Sequence, residues 1–269
     1  MAHLATLRIQ EKIVRDPGSY TQGLTLGSGY LWESVGRYGK SALRRYALDD
    51  YSLKDSFALP DEYYGEGICW IGQHVWQLTW REGVALKWSF ESCDSPRFSE
   101  VRYDNEGWGI CKHGATVFTS DGSHILSRRS PHSLLAIDAI KVTMKGRPIA
   151  GLNDLTWWAG RVWANIYGSP IIVGIDSISG EVTHLFDATE IQNSEHATGR
   201  HVMNGITASP GTGKLILTGK NWTSFYCVDF DNPRELAGTE ITKILNALPA
   251  RREEILNLNG QTPPWVLSG

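Results

Sequence analysis

Residues 63–90 read "YYGEGICWIGQHVWQLTWREGVALKWSF". Three short runs of β-branched and aromatic residues are separated by turns at Gly72 and Gly83, which is the signature of an antiparallel meander. One feature resists that reading: Glu66 is a charged side chain inside a run that otherwise belongs in a core. The same design recurs along the chain. "QGLT" (22–25), "EGIC" (66–69), "WGIC" (108–111), "NDLT" (153–156) and "NGIT" (204–207) begin 44, 42, 45 and 51 residues apart. Each tetrad precedes a turn and a second run: "YLWES", "HVWQLTW", "ATVFTSD", "GRVWANIY" and "KLILTGK". A third run follows in each case, as in "SALRRYAL" (41–48) and "SFYCVDF" (224–230). A period of roughly 40–45 residues with about four strands per unit is what a β-propeller blade requires.

Five units predict an all-β, five-bladed propeller over roughly 7–237. The strand at 7–14 is expected to pair with the last blade and close the ring, because an open ring leaves unpaired edges. The stretch 238–269 has helical periodicity broken by Pro249 and reads as a short C-terminal helical appendage. No low-complexity linker divides the chain, so 1–269 is expected to be one domain.

If the tetrads are the innermost strands, Gln22, Glu66, Trp108, Asn153 and Asn204 share one position in five blades and face one channel. The second strands end near Trp80, Tyr167 and Lys220, at the same mouth. A carboxylate, a cation, amides and an aromatic wall then meet in one cavity, a composition suited to a small polar substrate. Trp32, Trp76 and Trp163, at alternating strand positions, are expected in the core.

Composition excludes other classes. The 269 residues are 41% apolar and 20% charged, enough for a sizeable core. The net charge of −3 and the scattered basic residues give no footprint for nucleic acid or an anionic membrane. No signal peptide or membrane-length apolar run is evident, so a cytoplasmic protein is expected, or a secreted or periplasmic one if a leader has been trimmed. Cys69, Cys93, Cys111 and Cys227 lack CxxC spacing, which argues against zinc or a redox pair. No metal and no cofactor is expected, and the chain is expected to act as a monomer.

The motifs "DPGSYTQGL" (16–24), "YYGEG" (63–67), "QLTW" (77–80), "EGWG" (106–109), "LND" (152–154), "ANIY" (164–167), "MNGI" (203–206) and "LTGKNW" (217–222) closely resemble the plant and bacterial glutaminyl cyclases. That family consists of five-bladed propellers without a catalytic metal. The resemblance covers roughly 7–230, in order, and implies cyclisation of N-terminal glutamine to pyroglutamate with release of ammonia. It implies Glu66 as proton shuttle and Lys220 and Asn153 as pocket residues, which are expected to be catalytic as donors to the negative charge on the former amide oxygen. Gln22, Trp108 and Trp80 match its pocket residues, and Tyr20, Tyr64, Tyr167 and Asn204 complete the expected lining. Tyr20 and Tyr64 stand where relatives commonly carry phenylalanine, Tyr167 where they often carry tryptophan, and "LNDLT" where they usually read "LNELE". Each change adds polarity and shifts the walls while the machinery stays; the expected substrate is a peptide or a small molecule with N-terminal glutamine. Two alternatives accompany this reading: a related intramolecular acyl transfer on a small aminoacyl metabolite, and a non-catalytic propeller that binds a peptide or sugar.

Overall fold

The computed structural model describes residues 1–16, 18–90, 96–195, 202–209 and 213–253. Cys93 and the end of the C-terminal appendage lie outside them. The fold is all-β and β-propeller-like. Strands β1 (His3–Val14), β2 (Thr21–Gly27), β3 (Tyr30–Val35), β4 (Ala42–Ala47) and β5 (Leu53–Ala58) come first. Then follow β6 (Gly65–Ile71), β7 (His74–Thr79), β8 (Val84–Ser89), β9 (Arg97–Arg102), β10 (Gly109–His113), β11 (Thr116–Ser120), β12 (Ile125–Arg129) and β13 (Ala136–Lys141). A small hairpin, β14 (Thr143–Met144) and β15 (Arg147–Pro148), leads into β16 (Leu152–Trp158), β17 (Arg161–Ile166), β18 (Ile171–Ile175) and β19 (Val182–Asp187). Helix α1 (Thr189–Ser194) precedes β20 (Met203–Ala208), β21 (Leu215–Gly219), β22 (Ser224–Phe230) and β23 (Arg234–Glu235), and helix α2 (Gly238–Ala247) ends the described elements.

Strands β2–β5, β6–β9 and β10–β13 form three separate four-stranded antiparallel sheets. A nine-stranded sheet holds two further antiparallel units, β16–β19 and β20–β22, joined through β1. The hairpin between the first two strands of a unit needs left-handed backbone, as at Ser28–Gly29 (φ 51° and 77°) and Ala159–Gly160 (φ 47° and 77°). Two successive positive φ values match the right-handed twist of the flanking strands.

The first strands of the units touch in a closed cycle, β2 to β6, β10, β16, β20 and back to β2. Their approach is too close for side chains: a Cβ on Gly67 would lie 2.6 Å from the Trp108 carbonyl, and one on Gly109 would lie 2.0 Å from that of Asn153. Apolar layers fill the space between neighbouring sheets. Trp32, Trp76 and Trp163 are buried there as expected. Trp32 and Trp163 each donate the indole N–H to a carbonyl five residues earlier, at 3.0 Å.

Closure is made by β1. Its Leu7–Val14 half pairs antiparallel with β22, the expected closing strand. Its His3–Thr6 half pairs parallel with β19, so one strand serves two units, which the sequence reading did not anticipate. Just beyond β1, buried Arg15 pairs with buried Glu33 and donates to Thr21 Oγ1 (2.9 Å) and the Gly219 carbonyl (2.8 Å). Glu33 also accepts from Ser19 (2.7 Å), Thr21 (2.6 Å) and Tyr46 (2.7 Å). This cluster ties the first unit to the last. Burial pushes the Glu33 carboxyl up, but Arg15 and the three hydroxyls outweigh it and hold it below the ordinary range.

Helix α2 docks through Arg147, whose guanidinium donates to the Leu245 carbonyl, while Ala150 N–H donates to the Pro249 carbonyl at 2.8 Å. Among the described residues, no helix is long and apolar enough to cross a membrane.

Candidate active site

The expected channel residues owe their placement to a local irregularity. Pairing of first with second strand slips between Thr21 and Gly23, Gly65 and Ile68, Leu152 and Leu155, and Met203 and Ile206. These bulges contain Gln22, Glu66, Asn153 and Asn204. A bulge inserts an extra residue and re-aims its side chain. Trp108 takes the matching place in the third unit without a bulge, one residue before β10, with its N–H donated to the Ser120 carbonyl at 3.1 Å.

Lys220 arrives from the opposite direction, on a turn after β21. Asn221 adopts left-handed backbone (φ 59°) and its N–H donates to the Ser19 carbonyl at 2.8 Å, while Trp222 packs flat over Gly219. That turn carries the Lys220 ammonium to 5.0 Å from the Tyr20 ring centre and 5.1 Å from that of Tyr167. Tyr167 meets Trp108 edge-on at 5.8 Å, and Tyr64 packs against Trp80 at 5.5 Å. The two tyrosines beside Lys220 and the pair Tyr64–Trp80 thus form an aromatic rim that is half-buried, above a buried set of Gln22, Glu66, Trp108, Asn153, Asn204 and Lys220.

Hydrogen bonding divides that buried set. Asn204 is fully engaged with protein: its Oδ1 accepts Asp154 N–H at 3.3 Å, and its Nδ2 donates to the carbonyls of Thr21 and Gln22 and to Gln22 Oε1, each at 3.2 Å. It therefore orients Gln22, whose Nε2 donates to the Tyr64 hydroxyl at 3.3 Å. Asn153 Nδ2 and Trp108 Nε1 are buried donors with no acceptor among the described residues. Unmatched buried donors are rare and call for an explanation. Glu66 makes no hydrogen bond to the described residues. Burial pushes its carboxyl well above the ordinary value, Lys220 acts in the opposite sense, and the charges of Glu82, Glu106 and Asp154 add to the rise.

Three groups near this set were not singled out from the sequence. Glu106 accepts from Trp80 Nε1 at 3.0 Å and Arg81 Nε at 3.1 Å, and it pairs with Arg252. Arg252 belongs to the C-terminal appendage, and its guanidinium lies 5.5 Å from the Trp108 ring centre. Arg37 sits 4.4 Å over Tyr20 and bonds Asn221 Oδ1 at 3.1 Å. Glu106 was within reach as part of "EGWG"; Arg252 carries no local signal, since only the fold of α2 brings it back. No group of three metal-ligating side chains stands together among the described residues.

Comparison with known proteins places the chain as a whole. The sequence profile of the glutamine cyclotransferase family matches residues 1–230. A glutaminyl-peptide cyclotransferase from Arabidopsis thaliana is 27% identical over 243 residues, 87% of this chain and 74% of the relative. The crystal structure of Myxococcus xanthus glutaminyl cyclase superposes with a TM-score of 0.81 at 28% identity, covering 87% of this chain and all of the other. By that profile, that relative and that superposition, the chain belongs to the glutamine cyclotransferase family.

Proposed function

We propose that the chain is a five-bladed propeller, a single domain acting as a monomer, that cyclises N-terminal glutamine of a peptide or small substrate to pyroglutamate and ammonia. The observation that carries the reading is Glu66: a buried carboxyl, raised by burial and facing the charge of Lys220, inside a channel mouth walled with aromatic rings.

The substrate already contains nucleophile and electrophile, so the site's first task is to fold glutamine into attack geometry. The half-buried rings supply the shape. A terminal amine with pKa near 7.7–8.0 costs only about 1 kcal/mol to deprotonate at neutral pH. Its nitrogen attacks the side-chain amide carbon, and the proton it sheds passes to the Glu66 carboxylate. Negative charge gathers on the former amide oxygen, where donors aimed in advance are most effective. Lys220, Asn153 Nδ2 and Trp108 Nε1 are assigned there, the last two because they have no acceptor among the described residues. Glu66 then returns its proton to the departing nitrogen, the C–N bond breaks, and ammonia leaves. One carboxyl of raised proton affinity suits both transfers. Gln22, held by Asn204, binds the substrate, and Asn204 acts through it.

Proton transfer by one residue makes the reaction independent of a metal. Incubation of chelator-dialysed protein with a glutaminyl peptide and its glutamyl counterpart, followed by mass spectrometry, tests both points. We expect loss of one ammonia from the glutaminyl peptide alone, because a substrate carboxylate resists attack and repels Glu66. Comparable turnover of both peptides, or activity restored only by added metal, contradicts the reading.

A further inference from the structure

Beyond the mouth, the same five strands enclose a second cavity. The fourth letters of the tetrads, Thr25, Cys69, Cys111, Thr156 and Thr207, are buried and line a space of about 230 Å³. They stand three residues along from the mouth residues, about 10 Å at strand spacing. The inner strands crowd together between the two sets. Second letters are Gly23, Gly67 and Gly109, where a side chain would strike the neighbouring backbone, Gly205, where it would strike the Thr218, Leu24 and Thr21 side chains, and Asp154, whose Oδ2 accepts the N–H groups of Leu24 (3.1 Å) and Ile206 (2.8 Å) across the ring. None of the mouth residues lines this lower cavity, which sets it apart from the cyclisation site.

Its polar lining consists of side chains that can donate hydrogen bonds, set among aliphatic ones, and carries no carboxylate. Thr25 Oγ1 already accepts the Trp70 N–H at 3.2 Å, so its proton is left to donate. The Thr156 and Thr207 hydroxyls have no hydrogen-bond partner among the described residues. Burial pushes the Cys69 thiol up to about 12 and the Cys111 thiol well above its ordinary value, so both keep their protons at neutral pH. Lys112 brings a cation that acts on Cys69 and has no carboxylate partner among the described residues. Two indoles, Trp70 and Trp157, supply flat apolar wall, and Trp157 is backed by His113 stacked at 3.7 Å.

We propose that this lower cavity is a second binding site, for a small organic carboxylate with a flat apolar body. The carboxylate oxygens pair with Lys112 and accept from the threonine hydroxyls, and the body lies against the indoles. A half-buried cation among unmatched donors is completed by an acceptor-rich anion and by nothing cationic. The volume lies below the roughly 300–1,000 Å³ of drug-sized pockets, which limits the ligand to about one ring.

Calorimetric titration of the full chain with phenylacetate, and with phenylacetamide as its uncharged analogue, tests the assignment. Saturable binding of phenylacetate is expected, weakened at least about tenfold in the amide and in Lys112→Met, and weakened also in the double variant Thr156→Val, Thr207→Val. Glu66→Gln should bind phenylacetate as the unaltered chain does, and Lys112→Met should cyclise peptides normally. Absence of saturable binding overturns the proposal. So does binding that ignores the charge of the ligand and of Lys112, or that a pyroglutamyl peptide displaces competitively.

Discussion

Glu66 owes its chemistry to its surroundings. Burial raises its proton affinity, and Lys220 partly offsets that rise. As the base in cyclisation Glu66 must be ionised, so kcat/KM should climb with pH through its raised value, above the ordinary glutamate range near 4.3. Removing the cation takes away the charge that lowers it. In Lys220→Met the acidic limb of the pH profile should therefore move to higher pH, over a plateau that also falls because an oxyanion donor is lost. An acidic limb that stays put or moves down would separate Lys220 from Glu66. Residue types at the mouth were legible because a charged or amide side chain inside an apolar strand, repeated at one period, needs a common destination. The division of labour was not legible. Nothing in "MNGI" tells that Asn204 spends every polar group on Gln22, Thr21 and Asp154.

Strands carry the fold and irregularities carry the site. The five first strands and their partners were readable because β-branched and aromatic runs between glycine turns need no tertiary information. Bulges did need it: each exists only relative to the partner strand, and four of them turn site residues toward the channel. The parallel half of β1 and the return of the C-terminal segment likewise depend on distant partners. Two expectations follow for these elements. Arg252→Ala removes the guanidinium from Glu106 and Trp108 at the edge of the site; a partly exposed pair is worth little, so KM should rise about two- to fivefold with kcat nearly unchanged. A large fall in kcat would make Arg252 part of the chemistry. At the ring junction, Arg15→Met leaves Glu33 buried without its cation and should cost about 3–5 kcal/mol in denaturant unfolding, with part regained in the double variant Arg15→Met, Glu33→Gln. A single variant within about 1 kcal/mol of the parent would show that the clasp is dispensable.

Over the whole molecule, a closed cycle of inner strands brings residues nearly 200 positions apart to one opening, from Gln22 to Lys220. Closure by β1 joins the last two units through backbone pairing, and side chains held before substrate arrives are what an intramolecular reaction requires of its catalyst. Turnover rests on one carboxyl moving one proton twice. Glu66→Gln keeps the shape of that side chain and removes its proton exchange, so ammonia release from a glutaminyl peptide, measured beside peptide binding by tryptophan fluorescence, is the direct test. Turnover should fall by at least roughly 10²- to 10⁴-fold while binding, carried by Gln22 and the aromatic rim, stays close to that of the parent. Near-native ammonia release from a folded Glu66→Gln protein would contradict the account.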